Sequence, residues 1–109
     1  MHLEGIFIDK KQFIYQLKLI PTLLEEDNWT EKENAIVQHH FEVLQSLQQE
    51  GKLILAGRTL NMDPSGFGIV ILEVHSEEEA RKLMENDPAV KAGIMEATLF
   101  PYRVALMKS

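Results

Sequence analysis

Cysteine is absent from this chain, which excludes disulfides, thiolate catalysis and any Cys-ligated zinc or iron–sulfur site. No run of roughly 18 apolar residues is present to cross a bilayer. Near the N-terminus, Gly5-Ile6-Phe7-Ile8 is followed at once by Asp9 and is too short for the apolar segment of a secretory signal. A cytoplasmic protein with no membrane partner is therefore predicted. Positive charge is also scarce: 11 Lys and Arg stand against 17 Asp and Glu, for a net charge of -6. No basic run interrupts that acidity, phosphate backbones are repelled, and no nucleic-acid partner is expected. Four prolines and six glycines are too few for a fibrous or disordered chain, and no repeat or low-complexity tract occurs. The 109 residues, 45% hydrophobic and 26% charged, suffice for one core and not two. A single domain over residues 1–109 is predicted, its core running from about Phe13 to Val104.

Residues 1–11 are mixed, with a small apolar cluster at Ile6-Phe7-Ile8, and read as a tail or an added edge strand. The alternation Phe13, Tyr15, Leu17, Leu19 against Gln16 and Lys18 predicts the first strand, which Pro21 ends. Thr30 and Glu33 have capping-box spacing, so a helix is predicted from Glu31 to Glu50. Its apolar stripe is Ile36, Val37, Phe41, Leu44 and Leu47, with His40 inside the stripe. Gly51 is the natural residue to close that helix in the left-handed conformation, and Leu53-Ile54-Leu55-Ala56 should form the next strand. Asn61 to Gly66 carry turn chemistry between two apolar runs, predicting a hairpin into the strand Phe67 to Val74. Ser76 and Glu79 repeat the capping spacing for a helix over about Glu77 to Glu85, with Ala80, Leu83 and Met84 inward. Asp87-Pro88 then has the form of an N-cap followed by proline at N1, for one turn closing at Gly93. A long last strand is expected from Ile94 through Leu99, past Pro101, to Leu106.

The resulting order, βαββαβ, is an α+β ferredoxin-like arrangement with both helices on one face of an antiparallel sheet. Yet Ile69 and Ile71 on one side of the third strand, and Val70, Leu72 and Val74 on the other, give neither side a water-facing character. Leaving five such residues exposed would forfeit about 1.5–3 kcal/mol each. A second copy of the sheet is the economical cover, so a homodimeric α+β barrel is predicted.

His40, the run Gly51-Lys52-Leu53-Ile54-Leu55-Ala56-Gly57, Asp63, Ser76-Glu77-Glu78-Glu79-Ala80 and Asp87-Pro88 resemble, in order and spacing, the YciI-like (YCII-related) domain family. The resemblance covers about Phe13 to Val104. It implies a dimeric α+β barrel related to muconolactone isomerase and to small cofactor-free enzymes, with a His–Asp pair in a cleft at the dimer interface. His40 falls on the family histidine, and Asp63 and Asp87 are both candidates for its aspartate. Two positions depart from the family pattern. Gly57-Arg58 replaces the usual Gly-Pro, bringing a positive charge and a preference for anions. Ala89 replaces an aromatic and should leave that corner of the cleft wider.

His40 suits a general base, because imidazole titrates near neutrality and a carboxylate on its other nitrogen would fix its tautomer. The bland alternative is a core histidine bonded to a carbonyl. Asp63 also reads as a turn residue, and Asp87 as an N-cap. Arg58 and Tyr102 are candidate ligand-binding donors lining the cleft. No metal site is expected: His39 and His40 diverge by about 100° on a helix, and neither has a ligand at i+4. The function these readings support is a small cofactor-independent enzyme moving a proton on, or eliminating a group from, a small polar organic acid or lactone. The alternative is a non-catalytic dimeric module that binds or senses a small molecule in the same cleft.

Overall fold

The computed structural model describes residues 10–108, so the cluster Ile6-Phe7-Ile8 lies outside the described residues. Strand β1 (Lys11–Leu19) leads through two short 3-10 turns (Pro21–Leu24 and Glu26–Asn28) into helix α1 (Glu31–Gln49). Strands β2 (Leu53–Arg58) and β3 (Gly68–Val74) follow, then helix α2 (Glu77–Glu85), the single turn α3 (Pro88–Lys91) and strand β4 (Met95–Tyr102). The sheet order is β2-β3-β1-β4, every neighbouring pair antiparallel. This is the ferredoxin-like βαββαβ arrangement predicted from the element order.

Local chemistry sets the helix ends. The Thr30 hydroxyl accepts from Lys32 N, and Glu33 returns a bond to Thr30 N at 2.9 Å, completing the expected capping box. At the other end Gly51 adopts φ +77°, and Lys52 N donates to Leu47 O while Gly51 N donates to Gln48 O. Those two bonds form the double closure that left-handed glycine permits. At α2 the cap is split: Ser76 Oγ accepts from Glu79 N, but Glu79 reaches back to His75 N rather than to Ser76.

Phe13, Tyr15 and Leu17 of β1 and Val70, Leu72 and Val74 of β3 face the helices and pack with Leu44, Leu47, Ala80 and Met84. Each Val, Leu, Phe or Met side chain among them contributes about 1.5–3 kcal/mol by leaving water. A second cluster, Leu23, Ala89 and Ile94, closes the side near the 3-10 turns. Ala89 is fully buried there, so the small side chain is packed over rather than opening a corner. Phe41 does not join the core. It is 59% exposed, because it lies about 100° round the helix from His40, and Val43 packs inward instead.

The other sheet face carries Ile14, Ile69, Ile71, Leu55 and Phe100, which the strand register brings side by side. Leu55 and Phe100 are 40% and 47% exposed, whereas Ile71 in the middle is buried. The last strand is shorter than predicted and ends at Tyr102. It is an edge strand, which is why Pro101 is tolerated. Beyond it the chain runs alongside β1, and Val104 N donates to the Gln12 side chain at 2.7 Å.

Candidate functional site

The sequence brings His40 and Asp87 together from 47 residues apart, with His40 Nδ1 2.6 Å from Asp87 Oδ1. Asp87 is the N-cap of α3, where Ala89 N donates to the same oxygen at 3.0 Å. Its other oxygen accepts from the Tyr15 hydroxyl at 2.9 Å. The carboxylate is 1% exposed, and three donors converge on it. An ionised carboxylate only accepts hydrogen bonds, so the proton of this pair belongs on His40 Nδ1. The remaining nitrogen, Nε2, then presents a lone pair. Among the described residues it has no hydrogen-bond partner, and no buried side-chain nitrogen or oxygen goes unpaired. The 12% of the His40 side chain that stays exposed therefore includes Nε2, which can take up or return a proton at the surface while Asp87 stabilises the imidazolium.

Tyr15 was not legible as part of this set. Its alternation placed it in the core, and it is indeed fully buried, but a buried phenol needs a partner for its hydroxyl. That requirement was the available signal. Burial first, then the charge of Asp87 and the bond to it, hold the phenol proton well above the ordinary tyrosine range. Tyr15 thus stays neutral and donates, fixing the rotamer of Asp87 from the sheet side while Ala89 N fixes it from the helix side.

Asp63 stands elsewhere. It accepts from Ser65 N at 2.8 Å and Asn61 Nδ2 at 3.0 Å, and from the Ser65 hydroxyl. These bonds hold its carboxyl below the usual range and make it the turn residue of the β2–β3 loop. Gly66 in the same loop could not carry a side chain, since a Cβ would come within 2.6 Å of Asn61 O.

That loop forms one wall of a cleft of about 440 Å³. Arg58, Asp63, Met62 and Phe67 line it on one side, Trp29, Leu24 and Val37 on the other. Val37 precedes His40 by one turn of α1 and Leu17, also lining the cleft, follows Tyr15 by two positions on β1. Cleft and polar set are therefore adjacent, although His40 itself does not line the cleft. Tyr102 falls opposite Gln12, on the other sheet face from Arg58, beside a separate hollow with Lys10, Lys11 and Arg103. Within one chain it joins neither Arg58 nor the His40 set. His39 points outward and lies 3.8 Å from Glu42. Among the described residues no group of three His, Asp or Glu side chains comes together as a metal site would require, and no helix is long and apolar enough to cross a membrane.

A four-stranded βαββαβ chain whose helix histidine is held by a buried carboxylate defines the class of protein. The chain belongs to the YCII-related domain family, whose model matches residues 17–101. Among solved structures it resembles 5-chloro-2-hydroxyhydroquinone dehydrochlorinase (TftG) from Burkholderia phenoliruptrix AC1100, in complex with 2,5-dihydroxybenzoquinone. The identity is 24% and the TM-score 0.64, over 84% of this chain and 93% of that one. It also resembles the uncharacterized protein TM1266 from Thermotoga maritima, at 10% identity and TM-score 0.56, over 86% of this chain and 99% of that one. At these identities the likeness is one of fold. No curated protein matches the sequence.

Proposed function

We propose that this protein is a small cofactor-independent enzyme that transfers a proton on, or eliminates a group from, a small organic acid or lactone. His40 acts through Nε2 as the base, Asp87 holds its Nδ1–H and offsets the charge that develops on the ring, and Tyr15 keeps Asp87 in place. The observation that carries this reading is the Asp87 carboxylate, buried and bridging Tyr15 and His40. A histidine needed only for packing has no use for a charged partner that costs desolvation. A neighbour in fold named as a dehydrochlorinase supports small-molecule chemistry on this scaffold without assigning it. We further propose that two copies pair through the face bearing Leu55, Ile71 and Phe100, which two helices on the opposite side leave uncovered.

The test is proton exchange, which needs no knowledge of the natural substrate. A panel of small lactones, hydroxyquinones and keto acids in deuterated buffer, followed by proton NMR, should show catalysed exchange or elimination for some member. His40→Asn should stay folded and abolish it. Undiminished turnover in His40→Asn would overturn the assignment. One observation favours a second reading, a ligand-binding module: His40 does not line the 440 Å³ cleft. Saturable binding there with no exchange on any bound compound would favour that reading.

A further inference from the structure

The cleft between the β2–β3 loop and α1 has a charge arrangement that selects its occupant. Arg58 and Leu17 both pair with Gly68, so the three share one row and one face of the sheet. Gly68 supplies the floor: a Cβ there would meet Leu17 Cβ at 3.7 Å and Arg58 Cβ at 3.8 Å, so hydrogen in its place leaves the space between them open. The walls are apolar, from Leu17, Leu19, Val37, Met62, Phe67 and Trp29. Trp29 offers only its ring, since its N–H is spent on Leu23 O at 2.8 Å.

Most polar groups at the rim are already committed. Asp63 and Asn61 bond within the loop, Thr59 Oγ1 accepts from Phe67 N, and Lys18 Nζ donates to Pro64 O. Lys18 and Glu96, which also line the cleft, are directly opposite in the register, on the other face of the sheet from Arg58. Arg58 is different. Its one hydrogen bond is a 3.4 Å contact to the carbonyl of the next residue, and among the described residues it pairs with no carboxylate. A guanidinium with free donors at the mouth of an apolar cleft matches a carboxylate on a hydrocarbon body.

We propose that the cleft binds an apolar monocarboxylate, its acid group on Arg58 and its hydrocarbon part over Gly68 between Trp29, Val37 and Phe67. A volume of about 440 Å³ lies within the range of small-ligand pockets. That this molecule is also the substrate rests on the His40 reading above, since Val37 and Leu17 separate the two sites by a single row; its binding does not.

Trp29 is the only tryptophan and reports on the cleft directly. Titration of the full chain with 4-phenylbutyrate should give a saturable change in Trp29 fluorescence at up to roughly 10 mM, with the neutral 4-phenylbutanamide roughly tenfold weaker. Arg58→Met, at an exposed edge position, should erase that preference while leaving the amide unchanged. Gly68→Leu should block both ligands with the far-ultraviolet spectrum preserved. Equal binding of acid and amide, a preference that survives Arg58→Met, a folded Gly68→Leu that still binds, or no saturable response overturns the proposal. His40→Asn should bind 4-phenylbutyrate as the wild type does. Turnover that survives His40→Asn would sink the dyad and leave this binding untouched, whereas failed binding with turnover still lost in His40→Asn would sink the cleft proposal alone.

Discussion

Replacing Asp87 by Ala removes the acceptor for three groups at once, and its cost can be built from the structure. Ala89 N loses its cap bond, worth about 1 kcal/mol. The Tyr15 hydroxyl, fully buried, is left without a partner, at about 1–3 kcal/mol. His40 Nδ1 loses a charge-assisted bond, although the ring edge can recover some water. These losses share one centre and do not simply add, so about 3–5 kcal/mol is expected, a large share of the roughly 5–15 kcal/mol that holds a domain folded. Asp87→Asn is expected to cost much less, about 1–2 kcal/mol, because an amide keeps one acceptor oxygen and its nitrogen can donate to Tyr15. Adding Tyr15→Phe to Asp87→Ala should restore about 1–2 kcal/mol by removing the orphaned hydroxyl. Urea denaturation with linear extrapolation measures all three. An Asp87→Ala protein within about 1 kcal/mol of wild type, or a double variant that is merely the sum of the singles, would refute a shared buried carboxylate.

Tyr15 also sets an alkaline limit. Its folded phenol holds its proton above the ordinary value of 10.0, so above that pH the unfolded chain ionises first and stability falls by up to about 1.4 kcal/mol per pH unit. Tyr15→Phe should remove that component of the alkaline loss, and an unchanged slope would contradict it. Glu79, held below the ordinary carboxylate range first by the bond from His75 N, acts in the opposite sense. Its contribution is present above that range and is lost as pH falls through its folded value, and Glu79→Gln should flatten the acid limb of a denaturation series. Gly51→Ala meets no neighbour within 4 Å but inherits φ +77°, so thermal melts should show a loss of about 1 kcal/mol from backbone strain alone. Sedimentation at micromolar concentration should give a dimer, and Phe100→Asp should dissociate it with the protomer still folded. A wild-type monomer would remove the proposed pairing of the open faces.

Much of the fold was legible because its local signals were independent. Thr30 with Glu33, Gly51, Ser76 and Asp87-Pro88 each marked a helix boundary, and the two-residue alternation of β1 gave its inward face. Periodicity failed where it was read too generously: Phe41 fitted a four-residue step from Val37, yet the stripe centred on Ile36, His40, Val43 and Leu47 turns it to solvent. The end of β4 was misplaced because apolar residues beyond Tyr102 look like strand, whereas the ladder with β1 ends at Gln12 opposite Tyr102 and Val104 N turns to the Gln12 side chain instead. At the site, sequence offered Asp63 and Asp87 equally. Asp87 is the partner because α3 places its N-cap against α1, a tertiary fact, while three local donors hold Asp63 in its turn. Tyr15 escaped notice because alternation reports the body of a side chain and not the needs of its hydroxyl.

In the proposed dyad Asp87 holds the Nδ1–H of His40 and leaves Nε2 bare for proton transfer. Long-range proton–nitrogen NMR of the imidazole, under alkaline conditions that leave the ring neutral, reads this arrangement directly. The expected spectrum has a protonated Nδ1 and an unprotonated Nε2 for His40, and Asp87→Ala should give a mixture of the two tautomers. A His40 ring protonated at Nε2 with Nδ1 bare would contradict that dyad, because an acceptor-only carboxylate cannot face an unprotonated nitrogen at 2.6 Å.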